Sequence, residues 1–276
     1  MSTLRIAVTQ PDASPDPHRN GEVTRRLMRT AAAQGARLVL FPEGHLSGYA
    51  KEQVHDFADT DWPTVRAETQ AVADLAAELG VWVVLGSAHP LTPPHRPHNS
   101  VYVISDTGQV VDRYDKRFCS ATETLHFYTP GTEPTVFEVD GYRFGIAVCV
   151  EINFLEVFSE YAALGVDCLL LPTYPVDAIF RTKAQALAAI NNYWVAVCSV
   201  AQTHHLVPSE LFGPDGTSLA AASAGEEIVL ADLDRTDPEF HIALDLARPW
   251  RSSALDGSFY RGHHVRDPRS SDRTAL

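Results

Sequence analysis

Short apolar runs alternate with longer amphipathic segments along most of this 276-residue chain. The apolar runs predict strands, and the apolar residues that recur at helical spacing between them predict helices. The predicted strands are Leu4–Gln10, Arg37–Phe41, Val81–Ser87, Ser100–Ser105, Val110–Tyr114, Thr135–Val139, Arg143–Val148, Cys168–Pro172, Trp194–Ser199 and Ile228–Asp232. The predicted helices are Arg19–Gln34, Trp62–Glu78, Phe154–Leu164 and Arg181–Asn192. Strands that alternate with helices in this way indicate a layered α/β fold.

The length and composition favour one domain over residues 1–276, because 45% of the residues are hydrophobic and can bury a large core. No stretch approaches the roughly 18 apolar residues of a membrane span, and the chain enters a strand without a signal-like segment. We therefore expect a cytoplasmic protein with no membrane partner. The chain carries 22 Lys and Arg against 35 Asp and Glu, a net charge of −13 that disfavours nucleic acid as a partner.

Three reactive side chains each stand just past a predicted strand. Glu43 follows Phe41-Pro42, Lys116 follows Tyr114-Asp115, and Cys149 follows the apolar run that ends at Val148. Residues at strand ends lie on the rim of a sheet, where functional sites form. A cysteine attacks as its thiolate and needs a base for its proton, and the adduct that it forms needs a fixed positive charge. The three residues therefore predict a nucleophile, a base and a cation.

These residues and their surroundings resemble the carbon–nitrogen hydrolases of the nitrilase superfamily. The matching segments cover nearly the whole chain: Arg5–Gln10, Phe41–Glu43, Ser47–Tyr49, Tyr114–Lys116, Tyr128–Gly131, Gly145–Glu151, Phe154–Glu156, Leu169–Pro172, Arg181–Val197 and Gly213–Gly216. In the family too, Glu, Lys and Cys close strands in this order. The resemblance implies a four-layer αββα sandwich, no metal or organic cofactor, and a homodimer or higher homo-oligomer. In that assembly the C-terminal tail, residues 247–276, packs across the partner.

The resemblance also implies a mechanism on a small-molecule amide. Cys149 attacks the carbonyl carbon while Glu43 takes the thiol proton and returns it to the leaving amine. Lys116 and the backbone amide of Val150, next to the nucleophile, hold the developing oxyanion. Ammonia leaves a thioester on Cys149, and a water activated by Glu43 releases the carboxylic acid.

The family adds a second glutamate between the lysine and the cysteine, and Glu123 is our prediction for it. Glu133 and Glu138 are the alternatives, and any of the three can instead be a solvated loop carboxylate. We expect Glu151 to have a positional role near the start of the helix that follows Cys149, with no part in proton transfer.

The substrate class is read from the segment Cys149–Glu156, which is closer to amidase-like branches of the superfamily than to nitrilases. It favours an amide, with a nitrile, an N-carbamoyl compound or acyl transfer as alternatives, and a non-catalytic binding protein as a remote one. Tyr49 and Tyr174 are candidate pocket walls, with simple packing as the other interpretation. Carbamoylases carry substrate-gripping arginines after the cysteine; here Arg117 or Arg181 would have to substitute.

The remaining cysteines and the histidines have structural interpretations. The four cysteines (119, 149, 168 and 198) lack the close pairs of a zinc site or a disulfide framework, so we expect free thiols. Cys168 and Cys198 lie in apolar strands and are predicted core residues. Cys119 stands in a polar loop and ranks second as a nucleophile. The histidines at 95, 98, 204, 205, 263 and 264 are predicted to be surface residues and not metal ligands.

Overall fold

The computed structural model describes residues 3–274 and consists of two six-stranded sheets packed face to face. The strands are β1 (Thr3–Gln10), β2 (Leu38–Leu40), β3 (Trp82–His89), β4 (His98–Ile104), β5 (Val110–Asp115), β6 (Val136–Val139), β7 (Tyr142–Ile146), β8 (Cys168–Pro172), β9 (Trp194–Cys198), β10 (Glu210–Phe212), β11 (Ser218–Ala221) and β12 (Glu227–Asp234). The first sheet has the order β12-β1-β2-β3-β4-β5, and the second has the order β11-β10-β9-β8-β7-β6.

Each sheet has a parallel centre and antiparallel edges. β1, β2 and β3 pair in parallel in the first sheet, and β7, β8 and β9 do so in the second. The helices are α1 (Pro17–Ala33), α2 (Trp62–Leu79), α3 (Ala121–His126), α4 (Leu155–Ala163), α5 (Ile179–Asn191), α6 (Arg248–Leu255) and α7 (Pro268–Ser271). The carboxyl ends of parallel neighbours meet at one edge of a sheet, and loops that leave such an edge form sites.

The alternation of side chains along the strands divides the core into layers. In β1, Ile6 and Val8 face the cluster between the two sheets, whereas Ala7 packs with Leu27 and Met28 of α1 outside the first sheet. Successive side chains of a strand point to opposite faces, so one strand serves two layers. Helices α4 and α5 cover the outer face of the second sheet with residues such as Phe158, Ala184 and Leu187. The αββα sandwich that the resemblance implied is confirmed.

Several elements escaped the sequence analysis because they are short. Strands β10 and β11 have three and four residues and flank the turn at Gly213–Gly216, which was the only signal there. Helix α3 has six residues, which are too few to show a helical spacing of apolar residues. Strand β7 ends at Ile146, two residues before the predicted end, because Ala147 and Val148 lead into the turn that carries Cys149.

The predicted tail is helical as far as the structure describes it. A π-helical segment, Ile242–Ala247, leads into α6, and neither α6 nor α7 contains a buried residue. The first two and last two residues of the predicted domain, which include the end of the predicted tail, lie outside the described residues. Within residues 3–274, no helix is long and apolar enough to cross a membrane.

Candidate active site

The predicted nucleophile, base and cation are all buried and follow the ends of strands in the two packed sheets. Glu43 follows β2, Lys116 follows β5, and Cys149 follows β7. All three side chains are withdrawn from solvent: their residues are 1%, 0% and 5% exposed. Three residues far apart in sequence thus share one water-poor environment, where electrostatic interactions are stronger than in water.

Lys116 is the centre of a charged network. Its ammonium Nζ donates to Glu43 Oε1 at 2.8 Å and to Glu123 Oε1 at 2.9 Å. Burial by itself lowers the pKa of Lys116, but the negative charges of Glu43 and Glu123 oppose that effect, and the pKa is held well above its ordinary value. The raised pKa favours the protonated, cationic form of Lys116 near Cys149.

The carboxylate of Glu43 is fixed by donors on both oxygens. Oε1 accepts from Lys116 and from Asn99 Nδ2 at 2.8 Å, and Oε2 accepts from the backbone amide of Tyr174 at 3.0 Å. The backbone carbonyl of Asn99 also accepts a hydrogen bond from the Lys116 backbone amide at 2.8 Å. Asn99 is not among the predicted site residues, because a lone polar residue at the start of a strand carries no signal of its partners.

Cys149 occupies a strained turn. Its φ of 50° lies in the left-handed region, which residues other than glycine seldom adopt. The thiol Sγ faces the Tyr174 carbonyl oxygen at 3.7 Å. Burial and the negative charge of Glu43 raise the pKa of the Cys149 thiol to about 12, with Lys116 opposing the shift. Cys149 is therefore a neutral thiol at rest and requires a base before it can attack.

The residues after Cys149 form a short 3₁₀-helix, Cys149–Asn153, whose first turn contains the Val150 amide. Amides in the first turn of a helix have no acceptor within the helix and point out of its N-terminus. The Val150 amide, the predicted oxyanion donor, thus lies in the first turn of the helix that begins at Cys149.

Glu151 joins the nucleophile turn to the lysine loop. Its buried carboxylate accepts from the Tyr114 hydroxyl at 2.8 Å, from the backbone amides of Arg117 at 2.8 Å and Phe118 at 3.0 Å, and from the Val148 amide at 2.6 Å. The side chain therefore ties the segments on both sides of the site together through specific hydrogen bonds. This agrees with the expected positional role, although the contacts reach much further than the start of one helix.

The structure brings Glu123 to the site and leaves the two alternative glutamates outside it. Glu123 is 1% exposed and contacts Lys116, while Glu133 and Glu138 are exposed. Helix α3 fixes Glu123 through a capping box, in which its Oε2 accepts the Ser120 amide at 2.7 Å and the Ser120 hydroxyl accepts its amide. One oxygen thus holds the helix and the other holds the lysine.

The two predicted wall tyrosines stack on each other. The rings of Tyr49 and Tyr174 are 4.3 Å apart between centroids with an interplanar angle of 2°, and Val200 packs with them. Gln53 links them, because its Nε2 donates to the Tyr174 hydroxyl at 3.2 Å and its Oε1 accepts the Tyr49 amide at 3.0 Å. Since the Tyr174 backbone contacts both Glu43 and Cys149, this stacked pair borders the reactive groups.

Neither arginine considered for gripping a substrate carboxylate has a free guanidinium. Arg181 makes two hydrogen bonds of 2.7 Å to the buried Glu210. Arg117 pairs with Glu160 at 2.7 Å. Their charges are already neutralised by protein carboxylates, so the structure does not support that interpretation.

The other cysteines and the histidines lie outside the network. All four cysteines are free, and Cys168 and Cys198 are fully buried core residues, as predicted. Cys119 is half-buried and packs beside a small apolar cluster around Tyr128, and burial raises the pKa of its thiol to about 12. The six histidines considered above are exposed or half-buried. Among residues 3–274, no three His, Cys, Asp or Glu side chains form a group that could hold a metal ion.

The chain is similar to several known proteins. The model of the family described as carbon-nitrogen hydrolase matches residues 5–239. A chloroplastic omega-amidase from Arabidopsis thaliana is 27% identical over 258 residues, which cover 85% of this chain and 68% of that protein. An omega-amidase from Danio rerio is 28% identical and covers 85% of this chain and 89% of its own length.

A solved structure of similar fold also shows a modified cysteine. It is a glutamate-to-glutamine mutant of the amidase from Nesterenkonia sp. AN1, described as showing covalent addition of the acetamide moiety of fluoroacetamide at the active-site cysteine. It is 25% identical to this chain with a TM-score of 0.77, and the match covers 90% of this chain and 96% of that one.

Proposed function

This chain belongs to the carbon–nitrogen hydrolase family, and from that premise we propose that it hydrolyses a small amide to a carboxylic acid and ammonia through a thioester on Cys149. One observation carries the proposal. A buried lysine, bonded to two buried carboxylates at 2.8 and 2.9 Å, lies beside a buried cysteine held in a left-handed turn. A protein that only bound ligands would have no chemical need for this arrangement.

The first step is the attack of Cys149 on the amide carbon. The thiol proton passes to Glu43, and the sulfur electron pair forms the carbon–sulfur bond while the carbonyl oxygen becomes an oxyanion. Glu43 is suited to this because three donors fix its carboxylate. General base catalysis of this kind contributes about 10²–10⁴-fold in rate.

The oxyanion forms where Lys116 and the Val150 amide supply positive charge. Lys116 stays protonated in the resting site, so its charge is in place before the reaction begins. Each donor of this type lowers the barrier by about 2.7–4 kcal/mol. When the oxyanion collapses, the carbon–nitrogen bond breaks and the proton on Glu43 moves to the departing ammonia.

The second half of the reaction releases the acid. A water molecule gives a proton to Glu43 and attacks the thioester carbon, and the sulfur leaves as thiolate and recovers that proton. Glu123 has no part in these transfers in our proposal. Its carboxylate holds Lys116 in place, because it accepts a second hydrogen bond from the ammonium that also donates to Glu43.

An amide is the substrate class that the relatives favour, because those compared above are omega-amidases and an amidase. The stacked tyrosines Tyr49 and Tyr174 then form an aromatic wall for the acyl group of a small amide. No observation favours a nitrile, an N-carbamoyl compound, acyl transfer or a purely binding role over amide hydrolysis.

The test is release of ammonia from a panel of aliphatic, aromatic and ω-carboxylated amides, N-carbamoyl compounds and nitriles, combined with intact-protein mass spectrometry. Wild type is compared with Cys149→Ala and with Cys119→Ala as a matched control. We expect a transient acyl mass on wild type, loss of ammonia release in Cys149→Ala, and retained release in Cys119→Ala. Ammonia release that survives in Cys149→Ala would remove Cys149 as the nucleophile.

We also propose that the protein forms a homodimer or a higher homo-oligomer through its C-terminal tail. Support comes from large apolar side chains that the tail and the segment before it leave exposed: Leu246, Trp250 and Leu255 are 51%, 50% and 71% exposed. Monomeric proteins seldom expose several such residues close together. A single scattering species at the monomer mass would contradict this proposal. The cytoplasmic location stays a prediction.

A further inference from the structure

Thr173 occupies a place at the reactive rim that the mechanism above does not use. It follows β8 directly, and β8 is the parallel neighbour of β7, which leads to Cys149. Since the carboxyl ends of parallel neighbours meet at the same edge of a sheet, Thr173 and Cys149 leave that edge side by side. Thr173 is fully buried, with 0% of its surface exposed.

The backbone around Thr173 is fixed from three sides. The Thr173 amide donates to the Cys198 carbonyl at 2.8 Å and so continues the sheet. The next residue, Tyr174, donates its amide to Glu43 at 3.0 Å and faces the Cys149 thiol with its carbonyl at 3.7 Å. The segment 173–174 therefore bridges the base and the nucleophile, and its position relative to the sulfur is well defined.

The hydroxyl of Thr173 makes no hydrogen bond with the residues that the structure describes. A buried hydroxyl without a partner costs about 1–3 kcal/mol, so most buried hydroxyls have one. The side chain nonetheless lies beside the Cys149 thiol. Burial and Glu43 raise the pKa of that thiol, whereas Lys116 and then the Thr173 hydroxyl lower it, because both stabilise the charged sulfur. The Cys149 sulfur is therefore the acceptor that the structure indicates for this hydroxyl.

We infer that Thr173 is a further catalytic residue, whose hydroxyl donates a hydrogen bond to the Cys149 sulfur once that sulfur becomes a thiolate. A neutral thiol is a weak acceptor, whereas a thiolate carries a full charge and accepts strongly. This inference rests on the proposed function, since it requires Cys149 to be the nucleophile.

The proton balance of the step is simple. The thiol proton moves to Glu43, and Thr173 keeps its own proton and turns it toward the sulfur. The hydroxyl then helps Lys116 to stabilise the thiolate before attack and again when the thioester breaks. The charged and titratable groups that act on Cys149 are Glu43, Lys116 and Tyr49, and none of them changes in the variants below.

The experiment measures the rate at which iodoacetamide alkylates Cys149 as a function of pH, with the labelled peptide identified by mass spectrometry. Thr173→Val keeps the shape of the side chain and removes the hydroxyl, and Thr173→Ser keeps the hydroxyl and removes the methyl. A hydrogen bond to a charged group predicts that Thr173→Val is alkylated on the order of tenfold more slowly at neutral pH. Its pH profile should move upward by about one pH unit. Thr173→Ser should stay close to wild type.

Each outcome has a definite meaning. A Thr173→Val protein with the wild-type rate and profile overturns the inference, and so does an equal loss in Thr173→Val and Thr173→Ser, which would assign the effect to the methyl group. Circular dichroism confirms that both variants fold. If Cys149 in wild type is alkylated no faster than Cys119, the proposed function fails instead, and this result is independent of the Thr173 variants.

Discussion

Replacing Glu43 with Gln separates the two effects that this residue has on the nucleophile. The carboxylate is the proposed base, so Glu43→Gln should reduce amide turnover by about 10²–10⁴-fold. The same carboxylate carries a negative charge that, after burial, is the largest cause of the raised pKa of Cys149. Removing that charge should lower the pKa of the thiol, because Lys116 then acts on it with less opposition.

The size of the shift follows from two hydrogen bonds. Glu43 Oε2 accepts the Tyr174 amide at 3.0 Å, and Cys149 Sγ lies 3.7 Å from the carbonyl oxygen of the same residue. Backbone bond lengths then limit the distance between the sulfur and the carboxylate to roughly 11 Å. At an effective dielectric constant of about 20, two unit charges at that distance interact by about 1.5 kcal/mol, which corresponds to about one pKa unit. Because the distance is an upper limit, this shift is a lower bound.

The assay titrates the Cys149 thiolate by its ultraviolet absorbance, taken as the difference from Cys149→Ala in the same background. The midpoint for Glu43→Gln should lie at least about one pH unit below that of wild type, although the variant has almost no turnover. Glu123→Gln is the control, because it removes a carboxylate bonded to the same Lys116 without removing the base. A midpoint for Glu43→Gln that is unchanged or higher would refute the electrostatic reasoning.

Two further predictions concern the residues that position the network. In Glu151→Gln the side chain loses its negative charge, and its new NH2 group points at a backbone N–H that the carboxylate accepted. The free energy of unfolding should fall by about 2–3 kcal/mol and the melting temperature in calorimetry by about 4–6 °C. An unchanged melting temperature would contradict the role of Glu151 as a link. In Gly86→Ala the new Cβ would lie 1.9 Å from the Pro42 carbonyl oxygen, directly before Glu43. We expect about 2–3 kcal/mol less stability in denaturant unfolding and a loss of ammonia release. Gly262→Ala, which meets nothing within 4 Å, should change neither measurement.

Much of the fold was predictable because it depends on local patterns. The strand Cys168–Pro172 was predicted at its observed limits, and the four long helices were predicted to within two residues at each end. Period-2 alternation and helical spacing are properties of neighbouring residues, so they are visible without a partner. The short strand β11 was missed because four residues with little burial give no such pattern.

The site was partly predictable for a different reason. Glu43, Lys116 and Cys149 were found because their chemistry is rare at strand ends, and Glu123 came from the family resemblance. Asn99 was not found, because its partner Glu43 is 56 residues away in the chain. The spacing of residues in a sequence does not report such a distance.

The sequence by itself determined which segments become strands and helices, and which reactive side chains stand at their ends, because both depend on residue type and short-range order. Only the tertiary structure decided that the amide of Tyr174 holds Glu43, a residue 131 positions away. It alone decided that Glu151 links both sides of the site and that the Thr173 hydroxyl lies unpaired beside the sulfur. These are contacts between strand ends of two packed sheets, and their geometry exists only after the sheets have closed on each other.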